Sequence, residues 1–151
     1  PLGGDVGSSV GGLVDVIAID KDIQEDARQI TFLGGDSNYY FQSQTPINIE
    51  KFINTGGVLK LDLRVDKAPT EEVNILMGVA KLNIKKYLSG EKLGKWKTVS
   101  IKLKCFKDRG ADFSHLDMPL SFATFGAMKL SIANIELLSK PVVNSQEIQC
   151  K

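Results

Sequence analysis

A chain of 151 residues, 42% hydrophobic and 25% charged, has the length of one folded domain and too much apolar character for wholesale disorder. Its 19 basic and 18 acidic residues leave a formal charge of +1 with no basic stripe, which argues against a grip on nucleic acid by phosphate neutralisation. No stretch approaches the ~20 consecutive apolar residues that span a bilayer.

The first twelve residues are Gly- and Ser-rich, the make-up of a flexible linker. They begin Pro1-Leu2-Gly3-Gly4, without the Met, charged region and apolar run of a signal peptide, and read as a cut end of something longer. Strands are expected at Leu13–Ala18, where the apolar run holds Asp15 and stops before Asp20, at Ala27–Leu33 and at Tyr39–Gln42. From Leu59 to Val65 the alternation is strict, with Leu59, Leu61, Leu63 and Val65 on one face and Lys60, Asp62 and Arg64 on the other. That period of two marks a half-buried strand, because successive side chains point to opposite sides. Val73 to Val79 is apolar on both faces and reads as a central strand covered on both sides. Ile84–Leu88 can make one helical turn before Gly90.

The alternation returns at Val99, Ile101, Leu103 and Cys105 against Thr98, Ser100, Lys102 and Lys104, and Phe106–Gly110 reads as a second short turn of helix. Leu120–Phe125 is another strand. In the last, Met128, Leu130 and Ile132 are followed by Ile135 and Leu137, so the register slips by one at Ala133-Asn134, as a β-bulge makes it do. Residues 140–151 are polar and aperiodic, a second linker or frayed tail, which bounds the folded unit at residues 13–139. Many short strands with almost no helix predict an all-β fold: an antiparallel β-sandwich of the jelly-roll type, with its inner faces packed together.

Catalytic constellations are weak. His115, in Asp112-Phe113-Ser114-His115-Leu116-Asp117, would need Ser114 to face it, yet neighbours in an extended segment diverge. The carboxylate pairs Glu25/Asp26, Asp62/Asp66 and Glu71/Glu72 lack the apolar surroundings that raise a carboxyl into a general acid. Asp62 and Asp66 share their face with Lys60 and Arg64, which reads as a solvated, charge-mixed surface. Asp20, Asp22, Glu25 and Asp26 place oxygens at intervals suited to a structural Ca²⁺, but the loop fails as an EF-hand, and a solvated acidic turn is the competing reading. Aromatics carry the remaining signal. Tyr39, Tyr40 and Phe41 are consecutive, so at least one faces outward, and Trp96 falls on the polar register of Thr98 and Ser100. An outward aromatic can stack on a sugar ring, and a Tyr hydroxyl or His115 can reach saccharide hydroxyls, while Trp96 could instead seal the core at the sandwich edge. Cys105 and Cys150 are too few for a disulfide framework and belong to no zinc pattern, so a bridge between them stays open.

Several segments together carry a family resemblance: Ile19–Phe32 with its Gln24-Glu25-Asp26-Ala27-Arg28 run, Leu61–Pro69 leading to Leu76-Met77-Gly78, Trp96–Phe106, Gly110–Ser114, and Leu130–Leu137. From about Val16 to Leu138 the chain resembles the C-terminal galactose-binding-like β-sandwich of bacterial glycoside hydrolase family 3 exo-β-glucanases, of the marine exo-1,3/1,4 type. The resemblance implies a non-catalytic accessory domain of a secreted or periplasmic enzyme that releases glucose from β-1,3/1,4-glucans. Its expected partners are the catalytic domains of the parent enzyme, where the nucleophile and acid reside, and at their mouth the β-glucan itself. No cofactor is implied. The rivals are an autonomous carbohydrate-binding module and a docking domain that never touches sugar. Members carry Cys-rich segments after Met-Gly where this chain reads Val79-Ala80-Lys81-Leu82, which implies a buried thiol at Cys105.

Overall fold

The structure, a computed structural model, describes residues 7–8, 13–41, 45–90, 93–116 and 118–150. Its strands are β1 (Gly7–Ser8), β2 (Val14–Ile19), β3 (Ala27–Leu33), β4 (Ser37–Phe41), β5 (Val58–Lys67), β6 (Val73–Met77), β7 (Ala80–Asn83), β8 (Trp96–Lys102), β9 (Leu120–Thr124), β10 (Ala127–Leu138) and β11 (Gln146–Glu147). They form two sheets, one ordered β1-β2-β3-β10-β5-β8-β11 and the other β4-β9-β6-β7. All neighbours are antiparallel except β8 and β11, which run parallel. The all-β sandwich is the expected one.

Alternation supplies the core. Leu59, Leu61, Leu63 and Val65 of β5 are at most 2% exposed and share one core with Ile30, Phe32 and Leu130 of the same sheet and Ile75 and Phe122 of the other. Each such side chain contributes about 1.5–3 kcal/mol on burial. The register slip in β10 sits where the sequence puts it, between Ala133 and Glu136, and Asn134 takes a left-handed φ of 52° there. Asn tolerates that region better than β-branched residues do.

Four expectations need correction. The run Val73–Val79 is not one doubly covered strand. Only Val73, Ile75 and Met77 are buried; Gly78, at φ 59°, and Val79, 80% exposed, then turn the chain into β7. An apolar run by itself does not reveal such a break. β8 ends at Lys102, and Leu103–Lys107 forms helix α2 rather than more strand. Leu103, Cys105 and Phe106 all turn inward there, and the strand's alternation through Cys105 could not be told from one helical turn. A second helical turn, α1, spans Lys85–Leu88 as expected, and a 3-10 helix spans Glu50–Thr55.

The third correction concerns the ends. Gly7 and Ser8, inside the stretch read as linker, pair with Val16 and Asp15. In the stretch read as a tail, Gln146 and Glu147 pair with Val99 and Ser100, and Ile148 is 2% exposed within the core. The fourth is that Cys105 is no free thiol: it is bonded to Cys150 with a Cα–Cα separation of 5.7 Å, tying α2 to the tail. A lone isoleucine and a lone thiol in a mainly polar stretch are too small a signal for periodicity to register.

Candidate functional site

Outward residues of the larger sheet line up in rows set by strand register. Ile17, Gln29, Ser131, Arg64 and Trp96 lie directly across from one another on β2, β3, β10, β5 and β8. The adjacent row carries Ala27, Ala133, Asp62 and Thr98. Side chains in such rows stand about 5 Å apart, close enough to bond.

They do bond. Arg64 donates from Nε to Asp66 Oδ1 at 2.6 Å and from Nη2 to Ser131 Oγ at 3.3 Å. Asp66 Oδ2 also accepts from Ser131 Oγ and from Gln29 Nε2 at 3.1 Å. Asp62 accepts from Thr98 Oγ1 at 2.6 Å and from Asn134 Nδ2 at 2.8 Å, and Lys21 Nζ lies 3.5 Å from its Oδ2. The bulge thus has a use: it presents Asn134 to Asp62. Half-buried Trp96 lies against this network, with the Arg64 guanidinium 5.1 Å and the Lys21 ammonium 5.6 Å from its ring centroid. Both are cation–π distances.

The face is therefore not the solvated, charge-mixed surface that its composition suggests. Asp62 is only 7% exposed. Burial pushes its carboxyl up, but donation from Asn134 and Thr98 and the Lys21 charge outweigh that and hold it below the ordinary value. Asp66 follows the same pattern: burial raises it, and Ser131, Arg64 and Gln29 bring it lower. A glycosidic general acid needs a raised carboxyl, and these two are shifted the other way.

The Asp20–Asp26 turn uses its carboxylates internally. Asp26 accepts the backbone N–H groups of Lys21 at 2.6 Å and Asp22 at 3.0 Å, which lower its pKa, and Asp20 accepts that of Glu25 at 2.7 Å. Asp22 pairs with Lys21 at 2.8 Å, a contact that raises the lysine's pKa. Glu25 is exposed, at φ 57°. Among the described residues no three acidic, His or Cys groups converge as a metal site would require.

The expected sugar contacts are not brought together. Trp96 is on the outer face of the larger sheet, Tyr40 is 49% exposed on the outer face of the smaller one, and Tyr39, at 8%, points into the core. The backbone of Phe41 closes β4, but its side chain lies outside the described residues. His115 is exposed in a loop, and Ser114 donates its hydroxyl to Asp112 at 2.5 Å rather than to the imidazole, so no Ser-His-Asp relay forms. That hydroxyl, the Ser114 amide and the nearby His115 hold the Asp112 carboxyl low. Sequence reasoning singled out Trp96 but not Arg64, Gln29, Ser131 and Asn134 around it; the signal was strand register, which one strand's alternation does not contain.

No helix among the described residues is long and apolar enough to cross a membrane. A family model described as galactose-binding domain-like, Exop_C, matches residues 4–137. Among curated protein sequences none matches this one. The chain is similar to the extra C-terminal domain of the exo-1,3/1,4-β-glucanase ExoP from a Pseudoalteromonas species, at 20% identity and TM-score 0.79, covering 98% of this chain and 83% of that one. Against a longer ExoP chain the values are 20% and 0.73, covering 91% of this chain and 17% of the enzyme's. A family 30 carbohydrate-binding module of the cellulosomal cellulase Cel9D-Cel44B of Clostridium thermocellum matches at 13% and 0.64, over 93% of this chain and 91% of the module. At these identities the likeness is one of fold.

Proposed function

The chain belongs to the galactose-binding domain-like family Exop_C, and from that premise we propose that it is a non-catalytic accessory domain of an exo-β-glucanase acting on β-1,3/1,4-glucans. In this reading it packs on catalytic domains of glycoside hydrolase family 3 carried elsewhere in a longer polypeptide. The parent enzyme is secreted or periplasmic. The domain adds to the glucan surface at the mouth of the catalytic site, through Trp96 and the polar groups beside it. The observation that carries the reading is the fit of this sandwich, over 98% of its length, to the extra C-terminal domain of an exo-1,3/1,4-β-glucanase. The downward-shifted Asp62 and Asp66 support it, because neither can serve as a glycosidic acid.

The test uses the chain alone with laminarin and with mixed-linked β-glucan. It should release no glucose, and Trp96 fluorescence should be quenched weakly or not at all. Glucose release at enzymic rates would overturn the accessory role. Tight quenching would make the chain an autonomous carbohydrate-binding module.

A further inference from the structure

The smaller sheet also has an outer face, and it differs from the one bearing Trp96. Register places Tyr40, Ser121, Leu76 and Lys81 in one row across β4, β9, β6 and β7, and Asn38, Ala123, Asn74 and Asn83 in the next. Three strand spacings separate Tyr40 from Lys81, about 14 Å. At the β7 end this face deepens into a groove of about 870 Å³, within the usual range for a ligand site. The C-terminal tail walls one side, held by the Gln149 amide donating to Tyr87 Oη at 2.7 Å and by the neighbouring disulfide.

The charge in the groove is one-sided. Lys81, Lys85, Lys86 and Arg109 line it, against Glu72 alone. Among the described residues none of these four cations is ion-paired, although Arg109 also donates from Nη1 to the Cys105 carbonyl at 3.1 Å. A concave site lined by one sign of charge concentrates the opposite sign within it. Asn74 and Asn83 face each other across the strands, and Asn83 Oδ1 is already taken by the Lys85 amide at 2.9 Å, which leaves its NH₂ to donate. Amide pairs of this kind suit hydroxyls, and exposed Tyr40 in the neighbouring row offers a stacking surface.

The geometry points to a binding site for an anionic glycan, a saccharide chain bearing carboxylate or sulfate groups. The cations take its charges, the asparagines take its hydroxyls, and the chain runs across the sheet toward Tyr40. The choice of a glycan over another anion rests on the accessory-domain reading above; the groove itself does not.

The probes are carboxymethylated β-1,3-glucan, the same polymer without charge, and inorganic polyphosphate, each in native affinity electrophoresis at about 0.15 M salt, where exposed charges more than ~8 Å apart are largely screened. The charged glucan should retard the chain while the neutral one does not. Lys81→Ala/Lys86→Ala should weaken that binding about tenfold, the loss expected for two charge-assisted contacts. Lys67→Ala/Lys140→Ala removes the same charge from outside the groove and should leave the affinity unchanged. Equal losses in the two double variants, no retardation, or equal retardation by neutral polymer would each overturn the site. Polyphosphate binding as tightly as the charged glucan would overturn the glycan assignment while leaving an anion site. Glucose release by the chain would instead sink the accessory reading. Matching melting curves for the two variants exclude misfolding as the cause.

Discussion

Trp96 holds two cations in place and shields hydrogen bonds that water would weaken. Replacing it with Ala removes two cation–π contacts, each about 0.5–1 kcal/mol, and part of a large side chain's burial. A loss near 2 kcal/mol corresponds to a fall in melting temperature of roughly 4–8 °C for a chain of this size. An unchanged melting curve would mean that the ring serves recognition alone. Asp62 and Asp66 make the stability depend on acid. Both carboxyls are held low in the folded state, so their contribution is complete above the unfolded value of about 3.9 and is lost as pH falls through the lower folded values. Melting temperature measured downward from pH 7 should therefore show little effect of these two groups until about pH 4, then drop. In Asp62→Asn/Asp66→Asn that acid-dependent drop should be shallower, from a lower starting temperature. A variant profile parallel to the parent's would remove these residues as the cause. Asn134 shows how sequence pattern and chemistry meet at one position. The bulge is readable from the slipped alternation, but the bond to Asp62 is not, because the two are 72 residues apart.

At the scale of elements, the tail and α2 act as a unit. The Cys105–Cys150 bond spans 45 residues, a loop for which chain-entropy reasoning gives stabilisation of about 4 kcal/mol as an upper figure. Cys150→Ser should lower the melting temperature by at most about 8–16 °C, at ~2–4 °C per kcal/mol. Amide exchange should be faster at Ile148 and Gln149, whose N–H groups bond Ser100 and Tyr87. Unaltered exchange there would show that packing of Ile148 suffices. The Asp20–Asp26 turn yields a different expectation. Its Asp20 and Asp26 oxygens already accept backbone amides, so melting should not shift between EDTA and excess Ca²⁺. An increase with calcium would reveal a folded-state site by linkage.

For the whole molecule, the layered architecture was legible because nearly every long strand keeps a period of two. β3 was read at its observed bounds, and β5, β9 and β10 nearly so. Turns such as Gly78-Val79 and the strand-to-helix change at Leu103 escaped because they interrupt apolar runs without altering composition. The site was legible only in part, since Trp96 is visible as an outward aromatic while its neighbours arrive from β3, β5 and β10. The same holds for the cationic groove, whose residues come from β6, β7, α1, the turn after α2 and the tail. The margin formed by β11 has a consequence for colloidal behaviour. This two-residue strand pairs with Val99 and Ser100 in the middle of β8, and without it the edge of β8 would be unbroken, its amides and carbonyls open to any passing chain. Lys97 and Lys102 on β8 discourage such recruitment but do not abolish it. A reducing environment should thus make the molecule self-associate as well as soften, turning the clasp into a guard on solubility.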